Sequence, residues 1–178
     1  SGVGTAILGK KKRYEVFVSD AGDIANKYKE VLLHHEINFE EHQHTEALIL
    51  NADLVVKSPG IPESVSIVQQ LLKKETLVIS EIEFATKFSN ATIVGITGSN
   101  GKTTTTLLVH HLLKEAKINI GVAGNIGNSF AKQVAEENFT SYVLELSSFQ
   151  LDGTKDFRPH IAVITNITPD HLDRYEND

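Results

Sequence analysis

A nine-residue run, Gly95-Ile96-Thr97-Gly98-Ser99-Asn100-Gly101-Lys102-Thr103, holds the residue types that a nucleotide phosphate requires. It follows the apolar, β-like run Ala91-Thr92-Ile93-Val94 and opens a helix-like stretch over 103–116. A strand, a glycine-rich loop ending in Gly-Lys-Thr and then a helix is the architecture of a phosphate cradle. Backbone N–H groups must approach phosphate oxygens closely, and on this reading Gly98 and Gly101 lack side chains for that reason. The helix N-terminus adds unpaired N–H groups and the positive end of a dipole. Lys102 then reaches the β- and γ-phosphates, and the Thr103 hydroxyl holds Mg²⁺. The general pattern asks for Gly five residues before Gly101, where this chain has Ile96, so the loop is a shortened one.

Other residues have types suited to the same chemistry. Glu145 interrupts an apolar strand near its C-terminal end, in Leu144-Glu145-Leu146-Ser147-Ser148-Phe149-Gln150-Leu151. A carboxylate there is costly to bury unless it is paired or bound to a metal, and in a P-loop fold an acid at this place meets Mg²⁺. Gly124-Asn125-Ile126-Gly127 is a strand-to-helix loop whose Asn125 amide offers a donor and an acceptor near a phosphate. In Ile167-Thr168-Pro169-Asp170-His171-Leu172-Asp173, ordinary helix initiation accounts for Thr168, Pro169 and Asp170. It leaves His171 over as a second metal ligand or a group that polarises a phosphate. Toward the N-terminus, Ser1-Gly2-Val3-Gly4 is expected as a glycine turn entering a helix, and Asp20 closes the next strand. In a dinucleotide-type fold such a turn binds phosphate, and the acid binds a ribose or base. Lys57-Ser58-Pro59-Gly60-Ile61-Pro62 is a turn at another strand's C-terminal end. The basic run Lys10-Lys11-Lys12-Arg13 reads as a solvated helix end, and His34, His35, His42 and His44 read as surface histidines.

The elements that position these residues alternate. Strand-like runs fall at 14–19, 54–57, 76–79, 92–97, 118–122, 141–146 and 161–166. Helix-like segments fall at 5–12, 24–35, 46–51, 64–74, 81–88, 103–116 and 128–137. Most of the strands are continuous apolar runs, as expected for parallel strands covered on both faces, so the fold class is α/β. The pattern restarts near residue 90, which predicts two domains, 1–80 and 81–178. Strand C-terminal ends of one parallel sheet share an edge, which predicts that Asp20 and Ser58 converge on one crevice. Composition narrows the function. The 178 residues carry a net charge of −6, which argues against a nucleic-acid partner. No apolar run approaches the ~18 residues of a membrane span. The absence of Cys excludes disulfides and thiolate chemistry and fits a cytoplasmic setting.

Taken together, these motifs resemble the Mur ligases, ATP-dependent ligases that build the peptide of bacterial peptidoglycan. Their short P-loop reads Thr-Gly-x-Asn-Gly-Lys-Thr, as at 97–103, and the string Leu144 to Leu151 looks like the branch that adds D-glutamate. The Gly124-Asn125-Ile126-Gly127 loop, the stretch 166–175 and Ser58-Pro59-Gly60-Ile61 match as well. The resemblance implies a Rossmann-like, UDP-substrate-binding domain over 1–80, followed by part of an ATP-binding central domain over 81–178. It implies ATP held by Gly98, Ser99, Asn100, Gly101, Lys102, Thr103 and Thr104. One Mg²⁺ would lie on Thr103 and Glu145, and a second would be held with the help of His171. Lys102, Asn125 and His171 would serve catalysis. UDP-MurNAc-L-Ala would be held by Gly2, Asp20, Ser58, Gly60, Asn125 and Ser147. D-glutamate is the second substrate, and a monomer is expected. The resemblance also implies a carbamylated lysine and a D-glutamate-binding domain beyond Asp178, and a first strand before Ser1, so a fragment without ligase activity of its own is expected.

Three rivals remain at this point: another Mur or folylpolyglutamate-type ligase, a P-loop kinase or ATPase, and a non-catalytic nucleotide-sugar-binding module. The Ser147-Ser148-Phe149-Gln150 string speaks against the first, and Lys102, Glu145 and His171 speak against the last.

Overall fold

A computed structural model describes residues 2–168 of the chain. It folds as two compact units interleaved in sequence. The first takes the chain up to Ser89 together with 129–138 and 149–157; the second takes 90–128, 139–148 and the chain from Arg158.

The first unit contains α1 (Gly2–Lys11), β1 (Phe17–Ser19), α2 (Asn26–His34), β2 (Asn38–Glu40), α3 (Glu46–Leu50), β3 (Leu54–Val56), α4 (Ser66–Lys73), β4 (Leu77–Ile79) and α5 (Glu81–Thr86). Two later helices join it: α7 (Phe130–Glu136) and most of the single turn α8 (Ser148–Leu151). β1 pairs with β2 and β3 with β4, both in parallel. These are two separate two-stranded ladders rather than the one sheet expected, so Asp20 and Ser58 do not end strands of a shared ladder. β2 escapes the sequence reading because Ile37-Asn38-Phe39-Glu40 alternates apolar and polar residues instead of running apolar. Ile37 is buried with Ala6 and Leu32, and Val3, Val16, Val18 and Phe39 pack around them. The buried Leu32 and Ile37 side chains each contribute about 1.5–3 kcal/mol by leaving water.

The expected glycine turn at the start is instead helical from Gly2. Gly4 is buried, and a Cβ there would lie 2.1 Å from Ser129 Oγ, so close helix packing against the start of α7 requires this glycine. The basic run is also more engaged than a solvated end. Lys10 Nζ donates to Glu36 O and Lys11 Nζ to Ala135 O, each at 2.9 Å, and the Lys12 ammonium sits over the Phe88 ring.

The second unit is built on β5 (Thr92–Thr97), α6 (Lys102–Glu115), β6 (Ile120–Gly124), β7 (Ser141–Glu145) and β8 (Ile161–Ile164). All four strands are parallel in the order β6-β7-β5-β8. The chain leaves β5 toward one side and returns to its other side at β8, so the strand order reverses at β5. In open parallel sheets such a reversal opens a crevice at the strands' C-terminal ends. Val94, Ile96, Ile120 and Val143 form the core, with Val109 and Leu113 of α6 and Val163 of β8 packed on it.

Helix ends follow one device. α1, α2, α4 and α6 each close on a left-handed residue, Arg13, Glu36, Glu75 and Lys117, with φ between 53° and 68°. In each, the next residue's N–H reaches back five positions, as in Tyr14 N to Gly9 O at 3.0 Å. This is the Schellman arrangement, here without its usual glycine.

Candidate functional site

The phosphate-loop candidate lies where β5 ends. Gly98 (φ +135°) and Gly101 (φ +79°) both hold backbone conformations that favour glycine, but for different reasons. A Cβ on Gly101 would meet nothing within 4 Å among the described residues. A Cβ on Gly98 would lie 2.2 Å from Thr165 Oγ1 and 2.8 Å from Asn166 O, so the protein's own backbone fills the space expected for a phosphate. Gly101 is the N-cap of α6 and brings no side-chain cap, whereas Ser80 and Ser129 cap α5 and α7 with their hydroxyls. The first N–H groups of α6 therefore lack a capping side chain, and the dipole's positive end favours an anion. Lys102 Nζ folds over the loop and donates to Gly98 O at 2.7 Å and Ser99 O at 3.0 Å. Thr103 and Thr104 are exposed on the first turn of α6.

Register brings Glu145 and Asn125 to this edge. Glu145 at the end of β7 lies opposite Ile96 of β5 on one side and Gly124 of β6 on the other. It is 2 % exposed. Oε1 accepts from Asn125 Nδ2 at 2.8 Å, and Oε2 is buried with no hydrogen-bond partner among the described residues. A buried carboxylate oxygen left without a donor is costly, and a cation satisfies it. Thr103 and Glu145 are hard oxygen donors suited to Mg²⁺. Among the described residues no group of three or more His, Cys, Asp or Glu side chains is placed to hold a metal ion, so an ion on Thr103 and Glu145 would rely on phosphate and water for its remaining ligands. His171 lies outside the described residues.

The remaining wall comes from the segment that follows β8. Ser99 N donates to Asn166 O at 3.0 Å, and Thr165 Oγ1 donates to Asn100 O at 2.6 Å. Thr165 and Asn166 had no assigned role in the sequence reading, although Asn166 stood inside a matched motif.

In the first unit, Gly2, Asp20, Ser58 and Gly60 are exposed, and among the described residues nothing beyond their chain neighbours lies within 4 Å of a Cβ built on Gly2 or Gly60. Asp20 Oδ1 accepts from Gly22 N at 2.9 Å, an Asx-type turn. Beside it, Glu40 accepts from Ser19 Oγ (2.7 Å), Thr45 N (2.8 Å), Thr45 Oγ1 (2.5 Å) and Gln43 Nε2 (3.3 Å). Burial alone would push the Glu40 carboxyl up, but the donors from Thr45, Ser19 and Gln43 outweigh it and hold it below the ordinary value. With its proton given to Glu40, Ser19 Oγ accepts from His44 Nδ1 at 2.6 Å, which places the imidazole proton on Nδ1. The Lys29 ammonium, at 2.6 Å, and the Ile24 N–H lower the Glu41 carboxyl. Ser147 directly precedes α8.

Sequence reasoning also missed two buried carboxylates on α5. Ser80-Glu81-Ile82-Glu83 carries the capping-box signal, and Ser80 Oγ does accept from Glu83 N at 3.2 Å. The reciprocal half is replaced. Ser80 N donates to Gly153 O, and Glu83 Oε2 accepts from Lys155 N, Asp156 N and Phe157 N at 2.9–3.1 Å. Glu81 Oε1 accepts from Ser129 Oγ and Ala131 N at the head of α7.

Comparison with known proteins adds three findings. Residues 5–68 match the sequence model of the MurD N-terminal domain, and residues 96–178 match that of the Mur ligase middle domain. A UDP-N-acetylmuramoylalanine–D-glutamate ligase of Christiangramia forsetii is 62% identical over 176 residues, and one of Bacteroides thetaiotaomicron is 57% identical over 177. Each alignment covers 99% of this chain and 40% of the relative, so the chain spans about two fifths of the length of the curated relatives it matches. A solved UDP-N-acetylmuramate:L-alanyl-gamma-D-glutamyl-meso-diaminopimelate ligase from Neisseria meningitides shares the fold at TM-score 0.62 and 20% identity, over 98% of this chain and 60% of that one.

Proposed function

Because the chain belongs to the Mur ligase family, we propose that the protein is an ATP-dependent ligase that adds D-glutamate to UDP-MurNAc-L-Ala in peptidoglycan synthesis. Residues 1–80 are read as the UDP-substrate-binding part and 81–178 as the ATP-binding part. The observation that carries the reading is the pairing of an uncapped helix N-terminus behind a Gly-Lys-Thr loop with a buried, half-unpaired Glu145 on the adjacent strand end.

In this reading the γ-phosphoryl group of ATP passes to the carboxylate of the L-alanyl residue and ADP leaves. The D-glutamate amine attacks the acyl carbon, and the tetrahedral adduct expels phosphate as the amine loses its proton and the amide forms. The loop 98–101 and the N–H groups of Lys102, Thr103 and Thr104 bind the triphosphate. The Lys102 ammonium leaves the carbonyls of Gly98 and Ser99 for the more strongly accepting phosphate oxygens. Asn125 holds one amide hydrogen on Glu145 and turns its remaining N–H donor to an oxygen of the transferring phosphoryl group. Thr103 and Glu145 would hold Mg²⁺, which disperses charge on the phosphates, and His171 is assigned to a second ion. Asp20, Ser58, Gly2 and Gly60 take the UDP-sugar, with Ser147 beside the alanyl end. No helix among the described residues is long and apolar enough to cross a membrane, and we assign the reaction to a cytoplasmic monomer.

The test is phosphate release by the full-length protein. Release should require both UDP-MurNAc-L-Ala and D-glutamate, and Lys102→Ala should abolish it with the fold intact. Release that ignores D-glutamate, or full turnover by the folded variant, would refute the assignment.

A further inference from the structure

Two segments far apart in sequence are joined by a pair of reciprocal clasps. The Asn166 carboxamide accepts from Asn100 N at 2.9 Å through Oδ1 and donates to Asn100 O at 2.9 Å through Nδ2. The Ser99 hydroxyl donates to Thr168 O at 2.8 Å and accepts from Thr168 N at 2.9 Å. Each segment thus supplies one side chain that reads both backbone groups of a residue on the other. A carboxamide meets both needs with separate atoms, Oδ1 for the Asn100 N–H and Nδ2 for the Asn100 C=O, whereas a carboxylate has no donor for the second. The space for this approach exists because Gly98 has no Cβ.

From these contacts we infer that Asn166, with Ser99, is a positioning residue for nucleotide binding. It holds the loop 98–101 in its phosphate-binding shape from the β8 side without itself touching the nucleotide. The inference rests on reading 98–103 as the phosphate loop. Asn100 and Ser99 lie one and two residues before Gly101, so their backbone directions set how α6 begins. Without the clasps, a loop with two glycines in left-handed or extended-positive conformations regains several backbone states, and ATP must order them on binding.

The experiment compares Asn166→Ala, Asn166→Asp and Ser99→Ala in the full-length protein, with KM for each of the three substrates, kcat and melting temperature. Losing the two Asn166 hydrogen bonds should raise KM for ATP about tenfold, and leave KM for UDP-MurNAc-L-Ala and D-glutamate within about twofold. Asn166→Asp should be no better than Ala despite its shape, because a carboxylate oxygen then faces the Asn100 carbonyl. Ser99→Ala should raise KM for ATP by about threefold, and Thr165→Val, which removes the hydroxyl on Asn100 O without changing the loop's own residues, carries the test with the same expected rise if the Asn166 variants do not fold. A merely structural role predicts fewer active molecules, a lower kcat and an unchanged KM for ATP, and that result overturns the proposal. So does an equal rise in all three KM values. Lys102→Ala, examined by ATP calorimetry, separates the two levels. Undiminished ATP binding refutes the phosphate-loop reading itself, whereas lost binding there with normal KM in the folded clasp variants refutes only the clasp.

Discussion

Asn125 and Glu145 hold each other twice. The Asn125 backbone N–H donates to the Glu145 carbonyl oxygen and its side-chain Nδ2 to Glu145 Oε1, both at 2.8 Å. Gly124 makes this possible. A Cβ there would sit 2.2 Å from that same carbonyl, and its φ of +97° turns the chain so that Asn125 follows directly. The two groups assigned to phosphate and to metal are therefore fixed as one unit, with one carboxylate oxygen left over.

Glu145→Gln tests what the leftover oxygen is for. Glutamine keeps an acceptor for Asn125 and removes a buried charge, so the melting temperature should stay the same or rise. Mg²⁺-dependent turnover should be lost. A variant that melts well below the parent would show that the carboxylate serves the fold.

The two loop glycines should respond differently to Ala. Gly98→Ala drives a methyl into Thr165 and Asn166 and should cost more than about 2 kcal/mol in urea unfolding, with loss of ATP binding. Gly101→Ala meets nothing within 4 Å among the described residues and should cost only the left-handed strain of about 1–2 kcal/mol. Equal costs would contradict the packing reason given for Gly98.

Asp20→Ala should weaken UDP-MurNAc-L-Ala binding to the full-length protein by about 1–3 kcal/mol, the cost of leaving polar partners unpaired, with ATP affinity unchanged. Calorimetry with each ligand reads this. Equal loss for both, or for neither, places the uridine site elsewhere.

Glu40 predicts an acid dependence. A carboxyl held low in the fold binds fewer protons there than in the unfolded chain. Its contribution is complete above the ordinary glutamate value of 4.5 and is lost as pH falls through its lowered folded value. Thr45→Val removes its hydroxyl donor and should flatten the decline of urea stability on the acid side of that value. An unchanged slope would show that Thr45 does not hold the carboxyl down.

Local pattern alone determined the α/β alternation, the strand–loop–helix around Lys102 and the presence of an acid at the end of β7, because these depend on short spacings and on which residues are apolar. The chain order of the motifs was likewise enough to single out the family. Pairing partners were decided only by tertiary structure. The first unit's strands form two ladders, since a run of apolar residues states that it is buried but not which neighbour it bonds. Gly4 and Gly98 have the composition of turns, yet one is wedged against Ser129 and the other against Thr165 and Asn166, contacts that span more than 60 residues. Nothing in the helix-like segment 81–88 singled out Glu81 or Glu83, and each is buried and accepts N–H groups from segments about 50 or more residues on. The clasp between Asn166 and Asn100 has the same origin. β5 and β8 lie side by side only because the chain crosses over β5, and no local signal at either residue records that crossing.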